Sequence, residues 1–164
     1  MKKLILLFAF LLIASCSTSN NSEVTSQRVL VETNKGYFTI ELYDDTPITT
    51  TNFLKLIDEG FYDNLTFHRY EPGFVIQGGD PNGDGTGGSA DTIKLEVIGR
   101  SHSRGTLGMA RSSNPNSASS QFFVNLADND FLDEGYAVFG QVTEGMDVVD
   151  TLRAGDIIIH VVRV

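Results

Sequence analysis

The residues best suited to chemistry fall in two stretches, Phe67-His68-Arg69-Tyr70-Glu71-Pro72-Gly73-Phe74-Val75-Ile76-Gln77-Gly78-Gly79-Asp80 and Ser119-Ser120-Gln121-Phe122-Phe123. Each is an apolar run with a long polar side chain in its middle. Read as adjacent strands, whose side chains alternate between two faces, they set Arg69 among aromatic rings with Gln77 and Gln121 as neighbours. A guanidinium there is either exposed or held by partners, because burying an unpaired charge is expensive. Taken alone, an arginine in a strand reads first as half of a structural ion pair. Held by two amides beside aromatics, it becomes a fixed fork of N–H donors aimed at whatever acceptor develops in a reaction.

Other chemistries find little support. His68, His102 and His160 show no metal-ligand spacing, and no serine lies in a Gly-x-Ser-x-Gly elbow. His68 must point away from Arg69 if both lie in a strand, and His160 lies inside the last apolar run; both read as structural imidazoles. The loop from Asp80 to Asp91 matches the start of a calcium loop, but it ends in Asp rather than a bidentate Glu and follows a strand. It reads as a turn-rich loop. Gly83-x-Gly85-x-x-Gly88 satisfies a dinucleotide pattern without the helix start that would receive a phosphate. No metal and no cofactor are expected.

The elements that must position these residues follow from periodicity and turn signals. Arg28 to Thr33 and Tyr37 to Tyr43 form a hairpin about Asn34-Lys35-Gly36. Thr46-Pro47 starts a helix whose apolar face is Phe53, Leu54 and Ile57, and Gly60 ends it. Strands are predicted at Leu65 to Tyr70, Phe74 to Gln77, Ile93 to Val97, Gly105 to Ala110, Gln121 to Leu126 and Ala137 to Val142. A second helix runs from about Met146 to Leu152, and Ile157 to Val164 is a final strand apolar enough to be buried on both sides. About eight strands and two short helices predict an all-β dominated fold, a closed eight-stranded antiparallel barrel capped by the helices, since closure removes exposed edges.

The chain has 164 residues, enough for one cored domain. Lys2 and Lys3 precede an apolar run, Leu4 to Ile13, too short to span a bilayer, and Leu12-Ile13-Ala14-Ser15-Cys16 looks like a bacterial lipobox. Residues 1–15 therefore read as a lipoprotein signal peptide, 16–27 as a lipidated Cys16 with a flexible tether, and 28–164 as the folded domain. The expected location is the extracytoplasmic face of a membrane, the outer one where the host has two. A net charge of −9 argues against nucleic acid and against electrostatic attraction to anionic lipid, which leaves acyl chains as the anchor.

From Arg28 to Val164 the motifs Phe-His-Arg, Pro-Gly-Phe-x-x-Gln-Gly-Gly-Asp, Gly-Thr-Gly-Gly, Ser-Gln-Phe-Phe and Phe-Leu-Asp-x-x-x-Ala-Val-Phe-Gly occur in the order found in cyclophilins, the peptidyl-prolyl cis/trans isomerases, and the chain resembles that family. The resemblance implies an eight-stranded barrel with a shallow apolar groove on its outside that receives a proline of an extended polypeptide. It makes Arg69 the catalytic arginine. Phe74, Val75, Phe123 and Leu132 match the proline pocket, Gln77 and Gln121 its polar neighbours, and Ala110, Arg111 and Ser112 the groove's edge. Phe131 and Tyr136 stand where many members have Trp and His, and Val75 where many have Met. These departures imply a smaller wall and weak binding of cyclosporin.

Rotation about an X-Pro bond crosses a barrier of about 18–20 kcal/mol because it breaks amide resonance. The twisted prolyl nitrogen regains a lone pair, so a guanidinium aimed at it stabilises the transition state over both ground states. The expected activity is isomerisation of X-Pro bonds in exported chains, by a monomer. The competing expectation is a proline-binding chaperone or scaffold, against which Arg69 argues, since binding alone does not need that donor.

Overall fold

The computed structural model describes residues 27–164; the predicted signal peptide, Cys16 and the tether up to residue 26 lie outside the described residues. Its strands are β1 (Gln27–Thr33), β2 (Gly36–Leu42), β3 (Arg69–Glu71), β4 (Val75–Gly78), β5 (Thr106–Met109), β6 (Phe122–Asn125), β7 (Val138–Glu144) and β8 (Ile158–Arg163). Helix α1 spans Pro47–Asp58 and α2 Met146–Thr151. All the strand pairings are antiparallel, and they join one sheet in the order β3-β4-β6-β5-β7-β2-β1-β8.

The inward residues of this curved sheet, joined by Phe67 from the segment before β3, build one apolar cluster that includes Val29, Val31, Phe38, Ile40, Ile76, Phe122, Val124 and Phe139. Helix α1 adds Phe53, whose ring centroid lies 5.0 Å from Tyr62, 5.4 Å from Phe122 and 5.2 Å from Phe139. These edge-on and tilted contacts lock the helix over the sheet. Thr46 makes no side-chain cap. Instead the Glu96 carboxylate accepts the N–H groups of Ile48 at 3.2 Å and Thr49 at 2.9 Å, where the helix dipole favours an anion.

Four expectations need correction. The barrel is open, because β3 and β8 are edges with no ladder between them. Asn64 takes φ of 64°, and the predicted strand Leu65 to Tyr70 keeps ladder geometry only from Arg69. Its earlier part crosses the seam by separate bonds: Phe67 N donates to Asp156 O at 2.9 Å and Ile158 N to Leu65 O at 2.8 Å. The edges are thus covered rather than closed. Ile93 to Val97 is not a strand; Ile93 makes one bridge with Ala118, and the segment serves to carry Glu96 to α1. Finally, β8 buries Ile158 and Val161 but leaves Ile159 41% exposed, as an edge strand with one face to solvent. His160 is exposed on it, its Nδ1 2.7 Å from Asp63 Oδ2.

Candidate active site

The register of four strands composes the site. Arg69 on β3 lies opposite Gln77 on β4, Gln77 opposite Phe123 on β6, and Phe123 opposite Gly108 on β5. Residues opposite one another share a face, so this row stands on the outer side while Ile76, Phe122 and Val124 point into the core. A slip of one residue would send every side chain to the wrong face. The register is fixed by the turn at Pro72-Gly73. There Phe74 N donates to Glu71 O at 3.0 Å and Gly73 takes φ of 68°, which a turn of this type requires at its third position.

Arg69 is held as the two amides predict, through a relay whose direction is set by main-chain carbonyls. Gln121 Nε2 donates to Gly87 O at 2.6 Å and Gly85 O at 3.1 Å, which can only accept. Its Oε1 therefore accepts from Gln77 Nε2 at 2.9 Å, and Gln77 Oε1 accepts from Arg69 Nη1 at 3.4 Å. The guanidinium also lies 5.6 Å from the centroid of Phe74, and its Nε is 3.6 Å from Glu71 Oε1. The Arg69 side chain stays 46% exposed, so its remaining N–H groups are open to a ligand.

The carbonyls at the end of the relay belong to the loop after β4. Asp80, buried at the loop's root, accepts main-chain N–H groups from Asn82 at 2.9 Å, Asp84 at 3.1 Å and Gly85 at 2.5 Å. Burial raises its pKa, but these bonds and the nearby His68 outweigh that and hold it below the usual carboxylate value. Among the described residues no group of three His, Cys, Asp or Glu side chains could hold a metal ion. His68 sits beside this loop with no hydrogen bond to either ring nitrogen, and burial lowers its pKa.

A hollow of about 160 Å³ opens beside Arg69. Phe74, Val75, Phe123 and Leu132 form its apolar side and Gln77, Ala110, Arg111 and Tyr136 its rim, all of them predicted. It has room for a small ring and falls short of the few hundred Å³ usual for a larger ligand. Ser112 and Gln121 line a second hollow of about 280 Å³ next to it, together with Gln77, Ala110 and Arg111. Phe131 lines neither; it stacks on Phe74 at 5.6 Å, 76% exposed, as an outer flap to the wall. Arg111 holds its guanidinium carbon 4.8 Å from the Tyr136 ring centroid and donates to Gly135 O and Ser112 O, each at 2.8 Å.

What the sequence did not announce is the layer beneath. Phe123 stacks on the buried His102 at 5.6 Å between centroids, with Tyr136 edge-on to both rings. Asn125 and Asn129 are buried beside them. A polar residue closing an apolar strand, as Asn125 closes Phe122-Phe123-Val124, is the one sequence signal that pointed there.

The sequence and the fold are matched in known proteins. The family model for cyclophilin type peptidyl-prolyl cis-trans isomerase/CLD matches residues 28–161. A peptidyl-prolyl cis-trans isomerase of Acinetobacter baylyi is 43% identical over 160 residues, covering 93% of this chain and 82% of that protein. Peptidyl-prolyl cis-trans isomerase B of Escherichia coli is 45% identical over 137 residues, covering 76% and 83%. A solved cyclophilin type isomerase of Cryptosporidium parvum, crystallised in the presence of the dipeptide Ala-Pro, superposes with a TM-score of 0.78 at 34% identity, covering 83% of this chain and 98% of that one. The chain belongs to the cyclophilin-type peptidyl-prolyl cis-trans isomerase family. Its reaction is the cis-trans isomerisation of prolyl peptide bonds.

Proposed function

We propose that the chain isomerises X-Pro bonds of exported, extended polypeptides, with Arg69 donating to the prolyl nitrogen at the twisted geometry and the 160 Å³ hollow holding the ring. The observation that carries this reading is the row Arg69, Gln77, Phe123: the donor and the apolar wall stand on one face, two strands apart, with the donor propped by Gln77. The Ala-Pro dipeptide of the Cryptosporidium parvum crystals supports a proline ligand for this groove.

The energetics are within reach of such a site. Turning a reaction of tens of seconds into one of milliseconds needs about 10⁴-fold, or roughly 5.5 kcal/mol. A charge-assisted hydrogen bond formed only in the transition state, beside an apolar clamp, is of that order. The peptide's own nitrogen supplies the acceptor, so the step moves no proton and forms no covalent bond. A protease-coupled assay on an Ala-Pro tetrapeptide tests the reading, and the purified domain should accelerate the slow phase at catalytic concentrations. A slow phase indifferent to the protein would sink it.

The working location we propose is an extracytoplasmic membrane face, where a monomer hangs from lipid on Cys16 through residues 17–26. The Leu12 to Cys16 pattern after an apolar run supports this. Cys16→Ala should leave the protein unlipidated and outside the membrane fraction, read by mass spectrometry of the N-terminal peptide. Unchanged processing and retention would reject the anchor.

A further inference from the structure

Behind the hollow runs a buried polar chain that the reaction does not touch. His102 and Asn125 are fully buried and Asn129 nearly so. Carbonyls, which only accept, set its direction. Asn129 Nδ2 donates to Phe74 O at 3.0 Å and to Asn125 Oδ1 at 2.8 Å. The two N–H groups of Asn125 Nδ2 then point at three acceptors, Thr106 Oγ1 at 2.9 Å, His102 Nδ1 at 3.2 Å and Thr106 O at 3.3 Å, so one of them is shared. Thr106 Oγ1 gives its own proton to Ser103 O at 2.7 Å and is free to accept. The Tyr136 carbonyl, 3.3 Å from His102 Nε2, can only accept, so the neutral ring keeps its proton on Nε2 and leaves Nδ1 as an acceptor toward Asn125.

Four residues of the hollow hang on this chain. Phe74 and Tyr136 attach by their carbonyls, as above. Leu132 attaches by its amide, which donates to Asn129 O at 2.9 Å, while Asn129 N donates to His102 O at 2.9 Å. Phe123 attaches by lying on the imidazole, with the rings 18° from parallel.

We propose that His102, Asn125 and Asn129 are positioning residues that set the width of the proline hollow, and that the hollow loosens when His102 takes up a proton. The proposal rests on the reading of that hollow as the proline site. A proton on Nδ1 would face the Asn125 amide donor to donor. Asn125 cannot turn over without stranding Asn129 Nδ2 and Thr106 O, so the strain falls on the walls.

Burial favours the neutral ring against the charged groups around it. Burial lowers its pKa below the usual 6.5, offset in part by the Tyr136 carbonyl and by Asp133, whose Oδ1 accepts from His102 N at 2.7 Å. Asp130 shares Ser101 with Asp133, and Arg104 on the same segment is engaged by Asp150 and by the Leu126 carbonyl. Tyr136 is the remaining titratable neighbour. Loosening is therefore an acid-side event, below the pH at which a free histidine would titrate.

The test is the affinity of the wild-type domain for an Ala-Pro tetrapeptide as pH falls, measured alongside the His102 ring resonances. Kd should rise about fivefold or more, the effect of one lost buried hydrogen bond, in step with the His102 titration. kcat from exchange spectroscopy at saturation should change less than about twofold, since walls act on ground and transition states alike. His102→Phe keeps the stack and removes the titration; its Kd at pH 7 should already be raised and should then stay flat with pH. A wild-type Kd that is flat through the His102 titration, or a pH step that survives in His102→Phe, overturns the proposal. Should His102→Phe fail to fold, the wild-type titration decides alone. A wild-type domain that binds no proline peptide at pH 7 fails earlier, and rejects the pocket itself.

Discussion

Gly108 offers a direct test of how tightly the hollow is built. It lies opposite Phe123, and an added Cβ would fall 2.5 Å from Cε2 and 2.8 Å from Cε1 of the ring. Cζ of the ring is closer still, and carbon atoms sit comfortably at about 3.5–4.0 Å, so the ring must withdraw by more than about 1 Å. His102 and Tyr136 already flank it, which leaves the hollow as the open direction. Overpacking of this kind costs about 1–3 kcal/mol. If the ring stays, Gly108→Ala loses that much stability, a fall in Tm of roughly 2–4 °C per kcal/mol for a chain of this size. If the ring swings into the hollow, a ligand must push it back, and Kd rises about 5- to 140-fold at 1.4 kcal/mol per decade. The two losses should sum to about 1–3 kcal/mol, whatever their division. Calorimetry and a peptide titration on the same preparation read both. Native Tm together with native Kd would refute the claim that Phe123 fills the space over Gly108.

Asp80→Asn should destabilise the loop that carries the Gly85 and Gly87 carbonyls, by about 1–3 kcal/mol at neutral pH, because an amide N–H would face main-chain donors. The Asp80 pKa is depressed in the folded state, so its contribution is present above the unfolded value and is lost as pH falls through the folded one. The gap in urea midpoint between wild type and variant should therefore narrow as pH falls below the ordinary Asp value of 3.8; a constant gap speaks against the three-bond account. Phe131→Trp should tighten cyclosporin inhibition, since the exposed ring has room for an indole that brings an N–H donor. Equal potency before and after the change would mean that the indole contact does not decide cyclosporin binding.

The site was legible because its residues come in short runs with local signals. Pro72-Gly73 fixes one hairpin, the hairpin fixes Arg69 opposite Gln77, and the alternation of Gln121-Phe122-Phe123 puts Phe123 on the same outer face. Helix α1 showed itself by Pro47 and Gly60, and the first hairpin by Asn34-Lys35-Gly36. The seam was hidden, because it turns on the backbone of Asn64 and on single bonds between Leu65, Phe67 and the start of β8, none of which leaves a periodic trace. Ile93 to Val97 has the composition of a strand, yet tertiary structure uses it to bring Glu96 to α1. The polar layer of His102, Asn125 and Asn129 leaves one trace in the sequence, Asn125 closing an apolar strand, and its partners are joined only when the fold assembles them. Phe131 reads from its place in a motif as a groove residue, and its ring stacks on Phe74, 76% exposed.

The central claim is that Arg69 acts on the transition state while the hollow only grips. Exchange spectroscopy on a proline peptide measures the rate, and a titration of the same peptide measures affinity. Arg69→Ala should lower kcat/KM at least about tenfold with a much smaller change in Kd, the signature of an interaction made only at the twisted geometry. Arg69→Lys should recover only part of the rate, since an ammonium lacks the planar fork that Gln77 orients. A folded Arg69→Ala protein that isomerises at the native rate would contradict the account and leave Arg69 as an ion-pair partner of Glu71.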